Sequence, residues 1–564
     1  MTAAARWLGL SVVVVIAIVA GGTIANRPSR PPVGLLPAGG LVAVAVEAYP
    51  SLRTEPCTDT FVPHELDART DVSDAITMFD SNGSGVAVGD LDADGRLDLV
   101  FANLDGPDSI LWNQGGLRFE RAELADFSSR AVNTVDVDGD GRLDIVFTHR
   151  AGGVSLWRNA GSPEDPRRFE PGELPGIQAR AYSMTWNDLN GDGRLDLVTG
   201  SYDAESFLEL GDTFMFGDGD GIYVYLQGAD DFTAERLART SHALAIALPD
   251  IDLDGRRDLY VGNDFNVPDA AWRWTGDAFE AVEPLATTTE DTMSLAEGDI
   301  NNDGRLELFA TDMKPYAVDV HTLASWLPVM DKMPKQKALT DRQVIANVLQ
   351  VRDATGTYRD QAVARGVSAT GWSWSAKFGD LDTDGYLDLY VVNGMIDGQT
   401  LGHLEGHELV EENQALRNGG DGTFAPASGW GLAATESGRG MSMADLDDDG
   451  DLDIVVNNLA SNARLFENRL CTPGSNLQVD LRWADSANSH ALGAQLALVT
   501  DKGTLRRDVI AGSGYLSGDP SRQHFGIGAE AIVTRLDILW PDGLGTSIDA
   551  PAVGQRLVIT RGDT

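Results

Sequence analysis

Asp90-Leu91-Asp92-Ala93-Asp94-Gly95-Arg96-Leu97-Asp98 runs directly into Leu99-Val100-Phe101, and the same frame of spaced acids, glycine and closing acid recurs six more times. The copies are Asp136, Asp138, Asp140, Gly141, Asp144; Asp188, Asn190, Asp192, Gly193, Asp196; Asp250, Asp252, Asp254, Gly255, Asp258; Asp299, Asn301, Asp303, Gly304, Glu307; Asp380, Asp382, Asp384, Gly385, Asp388; and Asp445, Asp447, Asp449, Gly450, Asp453. Oxygen groups at positions 1, 3 and 5 of a tight loop converge on one hard cation. Glycine at 6 permits the turn, the carbonyl of residue 7 points inward, and the acid at 9 closes the shell. Such a ligand set suits calcium: magnesium demands a stricter octahedron, and no imidazole or thiolate is present to attract softer metals. The loop opens like an EF-hand, but position 12 is Phe101 in the first copy and Phe147 in the second, where an EF-hand carries its bidentate Glu. Asp-rich turns also cap hairpins without metal. A turn alone, however, does not require four packed carboxylates, seven times in register.

The motif starts lie 46, 52, 62, 49, 81 and 65 residues apart, too far for the short contiguous repeats of a calcium β-helix. Each unit reads as four strands. In the first, one enters the loop (85–88), one leaves it (97–102), a third carries an aromatic (110–112) and a Phe-centred strand follows (117–121). Leu156-Trp157-Arg158-Asn159 before Phe169, Val224-Tyr225-Leu226 before Phe232, and Ala415-Leu416-Arg417-Asn418 before Phe424 repeat that order. The prediction is an all-β chain with a seven-bladed β-propeller over residues 57–471. The seventh unit lacks its fourth strand, and Phe61-Val62-Pro63-His64-Glu65-Leu66 is similar to the missing piece. If it pairs antiparallel with the strand ending near Arg469, Cys57 and Cys471 meet at one edge, which predicts a ring-fastening disulfide. Two unrelated free thiols are the alternative. The gap 311–374, with Pro328 and Pro334 as helix breakers, reads as an excursion above the ring, and 201–221 as a second insertion on that face.

Of the 564 residues, 86 are Asp or Glu and 43 Lys or Arg, a net charge of −43 that argues against a nucleic-acid-binding surface. Positions 1, 3, 5 and 9 of the seven loops hold 26 of those acids, so the loops explain much of the acidity and an acidic outer surface remains. Two cysteines exclude a disulfide-rich scaffold, and no Cys/His cluster exists to hold zinc. Residues 1–25 carry an uncharged run over 8–20 behind Arg6, which reads as an export signal or membrane anchor, with cleavage and retention both open. Residues 26–56, rich in Pro, Gly and Ala, read as a linker. The expected location is extracytoplasmic: secreted, periplasmic or membrane-anchored, with membrane contact only through the N-terminal segment.

These features resemble FG-GAP or VCBS-repeat propellers of the cartilage acidic protein type. The similarity is carried by the loops, by Trp372-Ser373-Trp374-Ser375 leading to Asp380, and by Tyr260-Val261-Gly262-Asn263-Asp264. Members of that family usually end in an ASPIC/UnbV domain. Residues 476–562 are similar to it through Leu492-Gly493-Ala494, Gly512-Ser513-Gly514-Tyr515, His524-Phe525-Gly526-Ile527-Gly528 and Trp540-Pro541-Asp542-Gly543. The chain departs from the family at Gly518, where Gln is usual, and at Asn190 and Asn301. Without the family, short β runs at 477–483, 494–500, 505–510, 535–540 and 556–560 predict a small β-sandwich. His524, beside Phe525, reads as a hydrogen-bonded core residue rather than a ligand.

No nucleophile elbow, HExxH or phosphate-binding glycine loop is present. His403-Leu404-Glu405-Gly406-His407 is a candidate transition-metal site, read as exposed loop. Arg561-Gly562-Asp563 is an adhesion-like string that chance explains. The expected function is a calcium-stabilised binding or adhesion module presenting a propeller face to a glycan or protein ligand. The alternative is a polysaccharide-acting hydrolase or lyase with its acids near the 311–374 insertion.

Overall fold

Successive residues of a β-strand point to opposite faces, and the first repeat unit shows what that does here. Val86, Val88, Leu99 and Leu111 pack with Ala444, Val455 and Leu465 of the last unit. Ala87, Val100 and Ile110, their alternates, pack with Val132, Ile145 and Phe147 of the second. Each unit is therefore apolar on both faces and is buried only between two neighbours, which forces a ring. At roughly 1.5–3 kcal/mol for each fully buried aliphatic or aromatic side chain, these seams are the main adhesive of the ring.

The computed structural model describes residues 40–562 except 54–55, 73–75, 78, 80, 125–127, 151, 207–218, 266, 332–341 and 354. Seven antiparallel blades, four-stranded except that the sixth gains the short strand Met313–Lys314 beside its inner strand, lead outward from inner strands Val86–Gly89, Ser129–Val135, Ser183–Asn187, Ala243–Ala247, Leu295–Gly298, Gly371–Gly379 and Gly438–Ala444. Each inner strand touches the next, and the seventh touches the first. Blade 7 takes its outer strand from the N-terminal side: Val62–Arg69 pairs antiparallel with Asn462–Glu467, and Cys57 is bonded to Cys471. The expected ring closure and disulfide are both present.

The tail is a sandwich of two four-stranded sheets. The expected runs appear as Ser475–Trp483, Gln495–Thr500, Thr504–Asp508, Val533–Leu539 and Gln555–Arg561, joined by Gln523–Ile527 and Gly545–Asp549. Part of the stretch read as a linker belongs here: Ala45–Pro50 pairs antiparallel with Gln555–Arg561 as an edge strand. Every residue of that strand is exposed. It adds backbone hydrogen bonds and buries no side chain, so no hydrophobic period marked it. The apolar N-terminal run, read as a signal or anchor, lies outside the described residues; among those described, no helix is long and apolar enough to cross a membrane.

Between the two layers a short hairpin, Gly512–Ser513 with Ser517–Gly518, enters the mouth of the ring. Tyr515 at its tip is fully buried; its hydroxyl accepts from Gly83 N at 2.9 Å and lies 3.2 Å from the Tyr182 hydroxyl. Leu295 and Gly514 exchange backbone hydrogen bonds, and Val132 N donates to Leu516 O. Lys377, itself buried, donates to Ser513 Oγ at 3.0 Å and pairs with Asp519. A Cβ at Gly85 would lie 2.2 Å from Leu516 O, and one at Gly518 2.8 Å from the Ala87 Cβ. Glycine is required at both, which explains the departure from the family at Gly518.

The acidic loops join first to second strands; the long connections join second to third strands and so emerge at the opposite end of the ring. The excursion there is shorter than the expected 311–374: the connection 311–347 carries the helix Val320–Met330, capped by Asp319, whose carboxylate accepts from His321 N and Thr322 N, whereas Val348–Arg352 and Tyr358–Asp360 are the third and fourth strands of blade 5. Trp326 of that helix donates to Glu411 and packs on Trp372. The 201–221 insertion is also a second-to-third-strand connection, and its residues 207–218 lie outside those described.

Candidate cation-binding ring

All seven loops share one backbone geometry. The position 6 glycines, Gly95, Gly141, Gly193, Gly255, Gly304, Gly385 and Gly450, have φ between 84° and 104°, the left-handed region only glycine enters freely. Position 4 is left-handed as well, in Ala93, Gly139, Gly191, Leu253, Asn302, Thr383 and Asp448, with φ between 51° and 77°. The sequence reading missed this position, although Gly, Asn and Asp in four of seven copies are its signal.

Each turn-glycine N–H donates to Oδ2 of the position 1 acid at 2.8–3.1 Å. That bond aims the other carboxylate oxygen into the loop. The position 9 acids, Asp98, Asp144, Asp196, Asp258, Glu307, Asp388 and Asp453, accept from the position 2 N–H at 2.7–3.1 Å. Six of them also accept a third-strand N–H on the second oxygen. Position 9 thus fastens the loop to its blade, while each oxygen keeps a further lone pair.

One carboxylate oxygen from each of Asp90, Asp92 and Asp94 lies within 4.8 Å of the others, and so do those of Asp250, Asp252 and Asp254. Loops 2, 6 and 7 gather positions 1, 3 and 9: Asp136, Asp138, Asp144; Asp380, Asp382, Asp388; and Asp445, Asp447, Asp453. In loops 3 and 5, where Asn190 and Asn301 replace the acid, no three-acid group forms among the described residues.

Do these residues fit a cation? Asp90 Oδ1 and Asp382 Oδ1 are buried with no hydrogen-bond donor. A buried acceptor left alone is costly. Burial, with neighbouring loop carboxylates adding to it, pushes Asp98 and Asp380 up to about 8, Asp144, Asp196 and Asp299 to about 7, and Asp90 and Asp136 to about 6. Asp445 and Asp453 move well above the carboxylate range for the same reason. A divalent ion reverses that tendency, because its charge favours the ionised acid. The donor set, all hard oxygen, fits it. Arginines supply part of the compensation: Arg167 reaches Asp92 at 2.8 Å, Arg158 reaches Asp138 at 2.6 Å, and Arg417 pairs with Asp382 and Asp384.

A second device, unassigned by the sequence reading, ties six of the seven loops to the next blade. The Asn ending the third strand donates to the position 2 carbonyl of the preceding blade: Asn113 to Leu446 O, Asn159 to Leu91 O, Asn418 to Ile300 O and Asn468 to Leu381 O, at 2.7–2.8 Å. Gln227 does the same to Val137 O and Arg352 to Ile251 O, both at 2.9 Å. In blade 4 the position is Trp274, which instead packs with Leu189 and Val198 of blade 3. The Arg158-Asn159 and Arg417-Asn418 echo was the visible trace of this staple.

The tail touches every loop of the ring. Gly95 O accepts from Arg522 and Arg556, Gly193 O from Ser486, Gly304 O from Arg506, and Gly450 O from His524 Nε2 at 3.0 Å. Arg257 of loop 4 pairs with Asp508 at 2.6 Å, and Thr383 of loop 6 donates to Thr472. Ser489 donates to Asp136 Oδ2, and Gln478 to Asp445 Oδ2. His524 is 8% exposed, a packed hydrogen-bonding residue as expected.

The remaining candidates are scattered. His403 and His407 are exposed, with His403 Nε2 on Ser325 O. Arg561 is buried, paired with Asp542 and stacked on Trp483, so it is not displayed for adhesion. Near the base of the large insertion, Asp264 Oδ1 and Asp291 Oδ1 both accept from Phe265 N at 2.9 Å, and Asp312 accepts from the backbone of Glu290 and Asp291.

The description "FG-GAP-like repeat" matches residues 90–147, 136–199, 250–310 and 408–456, and "ASPIC and UnbV" matches 484–564. Loop 6 falls outside the matched repeats yet has the same geometry. A search among curated proteins gives no match. Among solved structures, BBS1N in complex with ARL6DN is similar over 73% of this chain and 97% of that one, at 9% identity and a TM-score of 0.42. An Agrocybe aegerita lectin described as recognising non-reducing terminal N-acetylglucosamine is similar over 67% of this chain and 85% of its own, at 15% identity and a TM-score of 0.33. Scores this low say nothing about what this chain binds.

Proposed function

We propose that this chain, an FG-GAP-like repeat protein carrying an ASPIC and UnbV domain, is a calcium-stabilised, extracytoplasmic binding or adhesion module that offers one face of its ring to a glycan or protein ligand. The observation that carries the calcium reading is the sevenfold recurrence of one loop geometry in which buried carboxylates converge, with Asp90 Oδ1 and Asp382 Oδ1 left without donors. Positions 1, 3 and 5, with position 9 in loops 2, 6 and 7, would hold the ion, which would supply the positive charge those oxygens lack. The chain's own part is to hold each position 1 acid from the turn glycine and to fasten each loop to its blade through the position 9 acid. The Cys57–Cys471 bond supports a location outside the reducing cytosol.

The tail occupies the loop end of the ring and its hairpin fills the mouth, so the opposite face, with the 311–347 connection, is the surface left for a ligand. Extracellular calcium modules bind with Kd of about 10⁻⁴–10⁻³ M. Replacing millimolar calcium with EDTA should lower the melting temperature, and calorimetry should show uptake of several ions. An unchanged melting temperature would refute the calcium reading. A glycan and protein-ligand screen on the calcium-loaded chain tests the binding role.

A second reading, a polysaccharide-acting enzyme, is favoured by one observation. Burial raises Asp264, Asp291 and Asp312 near the large insertion, with Asp312 pushed up to about 8. Glycan turnover abolished by Asp291→Asn with ring stability kept would support that reading over simple binding.

A further inference from the structure

Two of the position 1 acids receive, besides the turn glycine, a hydrogen bond from the tail. Asp136 Oδ2 accepts from Gly141 N at 2.8 Å and from Ser489 Oγ; Asp445 Oδ2 accepts from Gly450 N at 2.8 Å and from Gln478 Nε2. Ser489 is 8% and Gln478 2% exposed, while Asp136 and Asp445 are equally enclosed, so none of the four is free to rotate into solvent. In both cases the tail holds the oxygen that faces away from the loop centre, leaving Oδ1 to point inward. Three further loops are held at their turn-glycine carbonyls by the tail donors Arg522, Ser486 and Arg506, and loop 7 is held a second time, by His524 on Gly450 O.

We propose that the tail domain is the outer coordination shell of the cation ring, with Ser489 and Gln478 as positioning residues for sites 2 and 7, so that cation binding and tail docking form one linked equilibrium. The proposal rests on the calcium reading above and deepens it. Groups that orient a metal's ligands typically change its affinity about 10–100-fold when removed. Linkage requires the converse: a cation that binds more tightly to the docked form must favour docking by the same factor. Emptying the loops therefore loosens the tail, and the hairpin around Tyr515, which the tail carries into the ring and which bonds the inner strands there, is the segment that reports it.

The test uses the full chain. Calcium titration calorimetry compares wild type with Ser489→Ala, Gln478→Leu and the hydroxyl-preserving Ser489→Thr. Hydrogen exchange of residues 512–518 is followed in calcium and in EGTA. Ser489→Ala and Gln478→Leu are each expected to weaken one site about 10–100-fold and leave the others within twofold, with Ser489→Thr close to wild type. Hairpin protection should fall in EGTA. A loss of melting temperature with all calcium affinities unchanged would mean a merely structural contact and overturn the proposal. If the alanine or leucine variant fails to fold, equal hairpin protection in calcium and EGTA overturns it on the wild-type chain alone. A wild-type chain that takes up no calcium refutes the calcium reading, and this inference with it, whereas calcium uptake without variant effects refutes only the inference.

Discussion

Asn159→Ala removes one interblade staple together with two hydrogen bonds inside its own blade. The side chain is 1% exposed; its amide donates to Leu91 O at 2.8 Å across the blade 1 seam and to Leu143 O at 3.1 Å, while its oxygen accepts from Gly161 N at 3.0 Å. Truncation leaves two carbonyls and an N–H without partners, at about 1–3 kcal/mol for each group left buried. Because Gly161 is half-buried and water can reach it, the expected loss is about 3–5 kcal/mol. With an unfolding entropy of about 2.1 cal/mol/K per residue over roughly 500 residues, 1 kcal/mol corresponds to about 1 °C, so the melting temperature should fall by about 3–5 °C. Calcium-saturated differential scanning calorimetry measures this, with Asn462→Ala as control. Asn462 bonds Glu65 at an exposed site and should cost no more than about 0.5 kcal/mol. Equal shifts for the two variants would refute the staple.

The ion-free chain should lose stability as pH rises. Carboxylates that burial raises to about 6–8 in the fold hold protons that the unfolded chain, near 4, has released, so their contribution is full below about 4 and lost through 6–8. Calcium should invert the slope, since the ion needs the acids ionised; matching pH profiles in EDTA and calcium would count against the loops as ion sites. Cys57→Ser with Cys471→Ser opens a loop with a sequence separation of 414, worth about 6 kcal/mol at most in the chain-entropy model. Faster hydrogen exchange should appear first in Val62–Arg69, and unaltered exchange there would show that the bond does not hold the ring shut.

The parts of the fold that repeat were legible from residues alone. Seven acid loops with strand-like flanks dictated blade number, and the missing outer strand of blade 7 pointed to Phe61–Leu66 and hence to the cysteines. What the residues did not announce were contacts made by backbone or by single side chains between distant segments. Ala45–Pro50 buries nothing and left no period. The staple asparagines look like ordinary turn residues until their acceptors, one blade away, are known. Ser489 and Gln478 gain meaning only from the docking of the tail, which no local pattern encodes. Position 9 was expected to close the ion shell; in six blades its two oxygens also join loop to third strand, a duty visible only once strand pairing is fixed.

The first two strands among the described residues belong to different bodies: Ala45–Pro50 is an edge of the tail sandwich, and Val62–Arg69 completes blade 7. During synthesis these strands emerge before either of their partners exists, and they must wait, unpaired, until nearly the whole polypeptide has followed. The ring and the sandwich are thereby sewn shut by the same ribbon: a nascent chain halted before Asn462–Glu467 holds two unfinished domains, and one halted later still leaves the sandwich waiting for Gln555–Arg561.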